Sequence, residues 1–111
     1  MSKSALGFLV LVANSAYLLA RSDPTLFYFA NVLLHLVLGT ALAVDVLVRH
    51  RRSVASWPRL LKLAAPLLLA AAVSGAALAV FGATRSHYWL VWTHVATAAL
   101  GAVLVLASLA R

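Results

Sequence analysis

Two histidines lie inside stretches of membrane length, and they are the residues best suited to carry chemistry. His35 lies within the apolar run 26–48, and His94 lies within the apolar run 88–110. A bilayer interior penalises ionisable side chains, so those found there usually face a partner, a cavity or a cofactor. Imidazole nitrogen is a common axial ligand of haem iron, and facing helices can supply such ligands.

The two histidines are predicted to lie at similar depths if their helices run in the same direction. His35 is nine residues past Leu26, roughly 13 Å along a helix. His94 is six residues past Tyr88, roughly 9 Å along its helix. The sequence therefore predicts one haem b held between the two imidazoles. In the alternatives, each histidine bonds across helices and binds nothing, ligates a chlorophyll-type pigment or belongs to a proton path.

The neighbours of the histidines favour a flat cofactor. Asn31, His35 and Gly39 are spaced by four residues and share a helix face, and Gly101 is seven residues beyond His94. Both glycines leave room for a macrocycle, although ordinary helix packing explains them equally well. Asn31, Thr97 or a backbone carbonyl is expected to bond the outer imidazole nitrogen.

Other small or polar residues receive simpler interpretations. Ser74, Gly75 and Ala79 in the third run are expected to serve helix packing alone. Asp45 is expected to pair with Arg49, four residues later, and the alternatives are a role in proton uptake or at a quinone pocket.

The loop between the first and second apolar runs and the loop between the third and fourth contain further candidates. Arg21 and Arg85 are expected to contact either haem propionates or lipid headgroups. His87 is a surface residue, a propionate contact or a rival ligand, whereas His50, among arginines, is expected to be a solvated basic residue.

Composition assigns the chain to the membrane proteins. Of its 111 residues 65% are hydrophobic and only 10% are charged, which is unlike a soluble domain. There is no cysteine, which excludes disulfides, thiolate metal sites, iron–sulfur clusters and covalent c-type haem. The net charge of +7 comes from residues between apolar runs, which favours a membrane surface and argues against nucleic acid.

Four apolar runs joined by short loops predict an all-α, up-down-up-down four-helix bundle in one transmembrane domain, residues 1–111. The helices are expected at about 5–20, 26–48, 60–81 and 88–110. Asp23 is expected to cap the second helix. The first run also has features of a signal peptide, but Asn14 and Ser15 interrupt it and no clean cleavage site follows.

The basic residues predict the orientation. Seven cations share the side of both termini and two occupy the opposite side. The positive-inside rule therefore places both termini in the cytoplasm, and we expect a multi-pass protein of the bacterial inner membrane. The first set is Lys3, Arg49, Arg51, Arg52, Arg59, Lys62 and Arg111, and the second is Arg21 and Arg85.

The chain resembles the bis-histidine four-helix membrane cytochromes b, which include subunits of bacterial respiratory complexes. The resemblance covers the second to fourth helices and rests on Asn31-x-x-x-His35-x-x-x-Gly39, on Ser74-Gly75, and on Tyr88-Trp89 followed by His94. It implies that His35 and His94 are axial ligands. It also implies partner subunits that carry other redox centres. A second haem ligated by His50 would need another histidine near the end of the fourth helix, where the sequence has none.

These observations predict a membrane electron-transfer subunit without independent catalytic activity. Its single haem b would exchange electrons between the quinone pool, a possible second ligand, and a periplasmic cytochrome or membrane partner. The alternatives are a cofactor-free structural subunit of a larger membrane complex and a chlorophyll-binding subunit.

Overall fold

The chain forms four α-helices joined by short connections. The computed structural model describes residues 2–21, 23–50 and 52–110, and for Arg49 and His50 it describes only the backbone. These residues contain no β-strand. The helices are α1 (Lys3–Ala20), α2 (Leu26–Asp45), α3 (Arg59–Phe81) and α4 (Tyr88–Leu109).

The prediction of an all-α fold with four helices is confirmed, and the helix limits agree closely with those expected. The main difference is at the end of the second helix, where the α-helix stops at Asp45 and continues as a π-helical turn, Val46–His50. Short 3₁₀ turns at Val54–Ser56 and Arg85–His87 precede α3 and α4.

The helix ends follow from capping residues. Ser2 Oγ accepts a hydrogen bond from the Ala5 amide at 3.1 Å at the start of α1. The prediction that Asp23 caps α2 is wrong, because Thr25 is the N-cap and its Oγ1 accepts from the Tyr28 amide at 3.1 Å. Gly82, with a φ of 75°, ends α3 in a conformation that favours glycine.

All four helices are long and apolar enough to cross a bilayer, so the chain is a multi-pass membrane protein. The candidate spans are Lys3–Ala20, Leu26–Val48, Arg59–Phe81 and Arg85–Leu109.

The distribution of side chains agrees with a lipid environment. Among the described residues, those that are buried are mostly small or polar, whereas large apolar side chains point outward, with Leu26 88% exposed and Val80 77% exposed. Lipid tails are as apolar as leucine, so membrane helices pack through small residues and present large ones to lipid. The buried residues are Asn14, Ala64, Ala71, Ser74, Leu90 and Gly101.

Two compact units make up the chain, residues 1–51 and residues 52–111. In the first unit, Ser4 contacts Asp45 and Ser15 contacts His35, so α1 and α2 are antiparallel. In the second, His94 contacts Ala71 and Gly101 lies against Leu68, so α3 and α4 are also antiparallel, and they pack more extensively. The expectation of one transmembrane domain over residues 1–111 stays a prediction.

Candidate functional site

His94 is fixed by the backbone of the neighbouring helix. Its Nδ1 lies 2.8 Å from the carbonyl oxygen of Ala71 in α3, and both residues belong to the second unit. A carbonyl oxygen only accepts, so Nδ1 carries the hydrogen and donates it. In the neutral ring the lone pair is then on Nε2, the atom that ligates a metal in this tautomer. A backbone carbonyl was one of the expected partners of the imidazole.

The His94 ring lies directly on the backbone of α3. An ideal Cβ placed on Gly75 would be 2.9 Å from Cε1 and 3.0 Å from Nδ1 of His94. The absent side chain therefore makes the space that the ring occupies. Gly75 was expected to serve helix packing alone, yet its direct neighbour is one of the two candidate ligands.

His35 is held by a serine on the neighbouring helix. Ser15 Oγ is 3.3 Å from His35 Nδ1 and 2.7 Å from the carbonyl oxygen of Leu11. Two oxygens approach this closely when a hydrogen lies between them, so the serine hydroxyl donates to Leu11. Ser15 Oγ then accepts from His35 Nδ1, and the neutral ring has its lone pair on Nε2, as in His94.

Asn31 forms hydrogen bonds within the first unit. Its Nδ2 donates to the Phe27 carbonyl at 2.8 Å, and its Oδ1 accepts from Asn14 Nδ2 at 2.9 Å. Asn14 is only 7% exposed, and its own Oδ1 has no partner among the described atoms. The pair places an amide–amide bond one turn from His35.

The two glycines expected to make room for a macrocycle differ in their surroundings. A Cβ on Gly101 would lie 2.7 Å from Leu68 Cδ2, so this glycine is a close contact between α4 and α3. A Cβ on Gly39 would meet no described atom within 4 Å. Thr97 Oγ1 donates to the Thr93 carbonyl of its own helix at 2.6 Å.

The candidates in the connections between α1 and α2 and between α3 and α4 have local partners. Arg21 lies 3.8 Å from Asp23, with both side chains largely exposed. His87 stacks on Phe81 with ring centroids 5.6 Å apart, and its Nδ1 is 2.8 Å from Thr84 Oγ1. Arg85 is exposed in the adjacent 3₁₀ turn. The roles expected for Arg21, Arg85 and His87 at propionates stay predictions.

Asp45, the last residue of α2, is hydrogen-bonded to α1. Ser4 Oγ donates to Asp45 Oδ2 at 2.7 Å. The expected pair of Asp45 with Arg49 involves a side chain outside the described residues, and the same holds for the side chain of His50.

The predicted ligands belong to different units, His35 to the first and His94 to the second. Each ring is oriented inside its own unit, and their pairing at one level stays a prediction. Residues 2–21, 23–50 and 52–110 contain no cluster of three or more His, Cys, Asp or Glu side chains that could hold a metal ion. Such a cluster is not needed for haem, whose porphyrin supplies the other iron ligands.

Sequence reasoning missed the residues that orient the rings. The interruption of the first apolar run by Asn14-Ser15 was a usable signal, because paired polar residues inside a span usually have interhelical partners. Gly75 and Ala71 gave no comparable signal, since small residues occur throughout the third run.

Comparisons with known proteins add no family assignment: no protein-family model, no curated protein and no solved structure matches this chain.

Proposed function

We propose that the protein is a membrane electron-transfer subunit that binds one haem b through His35 and His94. The observation that carries the proposal is the common state of the two imidazoles. Each donates its Nδ1–H to an oxygen of the neighbouring helix, which puts the lone pair of the neutral ring on Nε2. Metal-ligating histidines usually have their other nitrogen held in this way.

The surroundings of the histidines suit this role. Both lie in spans composed largely of apolar side chains, which exclude water from the surroundings of the rings. Ser15 and the Ala71 carbonyl orient the rings, so binding would require little further ordering of the imidazoles. Bound haem would supply one-electron oxidation and reduction.

The proposed site lies in the outer half of the membrane, with both termini in the cytoplasm of a bacterial cell. Arg21, Arg85 and His87 are the proposed propionate contacts, since carboxylates are less costly near cations and water than in lipid. The redox partners would be a periplasmic cytochrome, the quinone pool or other subunits of a membrane complex.

The absorption spectrum of the purified protein tests the proposal. A sharp reduced α-band and a positive pyridine haemochrome assay are expected in the wild type. His35→Ala and His94→Ala should each abolish the low-spin spectrum, and His50→Ala, the control, should retain it. A normal bis-histidine spectrum in either of the first two variants would show that the wrong ligand was assigned.

A structural subunit without a cofactor is the second candidate. The observation in its favour is that three bonds of polar side chains inside the spans cross between helices: Asn14 to Asn31, Ser15 to His35, and His94 to Ala71. Such bonds stabilise membrane helix pairs without any ligand. A protein without visible absorption would support this candidate, whereas red absorption bands would indicate a chlorophyll-type pigment.

A further inference from the structure

The position of the His94 ring depends on two features of α3 that lie one turn apart. The Ala71 carbonyl accepts the Nδ1–H bond at 2.8 Å, and Gly75 leaves open the space beside Cε1 and Nδ1. In a helix, residues 71 and 75 lie on the same face, so one surface both supports and bonds the ring.

We infer that Gly75 is a positioning residue for His94: by lacking a side chain, it lets the ring reach the Ala71 carbonyl and fixes the Nδ1–H tautomer. The inference goes beyond the proposed function, because it concerns residues of the second unit only and holds with or without haem. In this tautomer Nε2 is the basic nitrogen of His94. It is therefore the atom that would bind a metal or accept a proton.

Steric distances explain why glycine is needed at this position. Real Cβ atoms essentially never come within 3.0 Å of a heavy atom on a neighbouring helix, and a Cβ on residue 75 would be 2.9 Å from Cε1 of His94. The neighbouring atoms belong to a rigid ring whose Nδ1 is bonded to the same helix, so the ring cannot yield without lengthening that bond. Alanine at position 75 should therefore displace the ring from the carbonyl.

A second donor shares the Ala71 carbonyl. Ser74 Oγ lies 2.7 Å from the Ala70 carbonyl and 3.1 Å from that of Ala71, so its hydrogen is directed mainly to Ala70. Because Ser74 competes only weakly with His94 for the Ala71 carbonyl, replacement of Ser74 by alanine should leave the His94 tautomer unchanged. Ser74→Ala is therefore a control on the same helix, and Gly39→Ala is a control of the same chemical change at a site with open space.

Nitrogen-15 NMR of histidine-labelled full-length protein tests the inference, because imidazole shifts distinguish protonated from bare nitrogens. The His94 signals are assigned by their loss in His94→Gln. The wild type should show a protonated Nδ1 at His94. Gly75→Ala should lose this single state and show a mixture of tautomers, whereas Ser74→Ala and Gly39→Ala should keep it.

Two results would overturn the inference. One is a wild-type His94 that is protonated only on Nε2, which can be detected even if Gly75→Ala fails to fold. The other is a folded Gly75→Ala protein with an unchanged Nδ1–H signal. Neither depends on the haem proposal, which fails separately if the wild type shows no haem spectrum.

Discussion

At the scale of single residues, the two histidines use the same nitrogen but have different acceptors. His94 donates to a backbone carbonyl at 2.8 Å, and His35 donates to a serine hydroxyl at 3.3 Å. The hydroxyl belongs to a side chain that can rotate, whereas the carbonyl is part of a helix. The Nδ1 contact of His35 is therefore the weaker of these two contacts.

The weaker contact gives a test of the ligand environment. Ser15→Ala removes the acceptor of the His35 Nδ1–H, which should make the imidazole a poorer electron donor. The midpoint potential of the proposed haem should therefore rise, because the oxidised iron is less well stabilised. Potentiometric titration in detergent measures the change. Thr93→Val, which removes a hydroxyl that donates to the Trp89 carbonyl of its own helix, is the control and should leave the potential unchanged.

The bond between Asn14 and Asn31 allows a stability prediction. Asn14→Ala and Asn31→Ala should each destabilise the α1–α2 pair, and the double variant should cost less than the sum of the two. Interhelical bonds in membrane proteins average about 0.6 kcal/mol and reach about 1.7 kcal/mol, so a coupling energy in this range is expected. The free energies of unfolding of the wild type and the three variants, measured in bicelles, give the coupling energy through a double-mutant cycle. Strict additivity would show that the amide–amide bond contributes nothing.

At the scale of helices, glycine has different roles on different faces. Gly101 lies against Leu68, where even a methyl group would meet the leucine side chain, and Gly39 faces open space among the described residues. The packing of the two glycines therefore differs, while the role expected for both beside a macrocycle stays a prediction.

Alanine substitutions separate these roles. Gly101→Ala should lower the free energy of unfolding by about 1–3 kcal/mol, since Leu68 must move to relieve the overlap. Gly39→Ala should be neutral or stabilising by up to about 1 kcal/mol, because alanine is the better helix former. Unfolding of the two purified variants under identical conditions makes the comparison. Equal destabilisation would contradict the difference in packing.

Apolar runs predicted the helices well because length and hydrophobicity alone determine membrane spans. They could not predict which residues meet across a helix pair, since nearly every position in the runs is apolar. His94 was identified because it is polar, whereas Gly75 was assigned to helix packing as one of many small residues, and its contact with the His94 ring was not predicted. The π-helical turn after Asp45 was also missed, since no residue in Val46–His50 signals it.

Over the chain as a whole, positively charged side chains far outnumber negatively charged ones. The chain has nine Lys and Arg but only two acidic residues, Asp23 and Asp45, and both lie in the first unit. The second unit therefore has no acidic side chain to balance its five cations, Arg52, Arg59, Lys62, Arg85 and Arg111. Anionic lipid headgroups are the expected counterions of such residues at a membrane surface.

The same charges predict the orientation of the chain, and reporter fusions can measure it. Alkaline phosphatase, active only in the periplasm, should be inactive when fused after Arg111 and active when inserted after Ala83, and a fluorescent cytoplasmic reporter should give the opposite pattern.

Replacing Arg49, Arg51, Arg52, Arg59 and Lys62 with glutamine would leave Lys3 and Arg111 on one side against Arg21 and Arg85 on the other. Both orientations should then appear, because positive charge near the spans determines which loops stay inside. Arg21→Gln with Arg85→Gln increases the asymmetry and should not alter the orientation. Phosphatase activity of the wild-type Arg111 fusion would reject cytoplasmic termini, and with them the placement of the proposed haem in the outer half of the membrane.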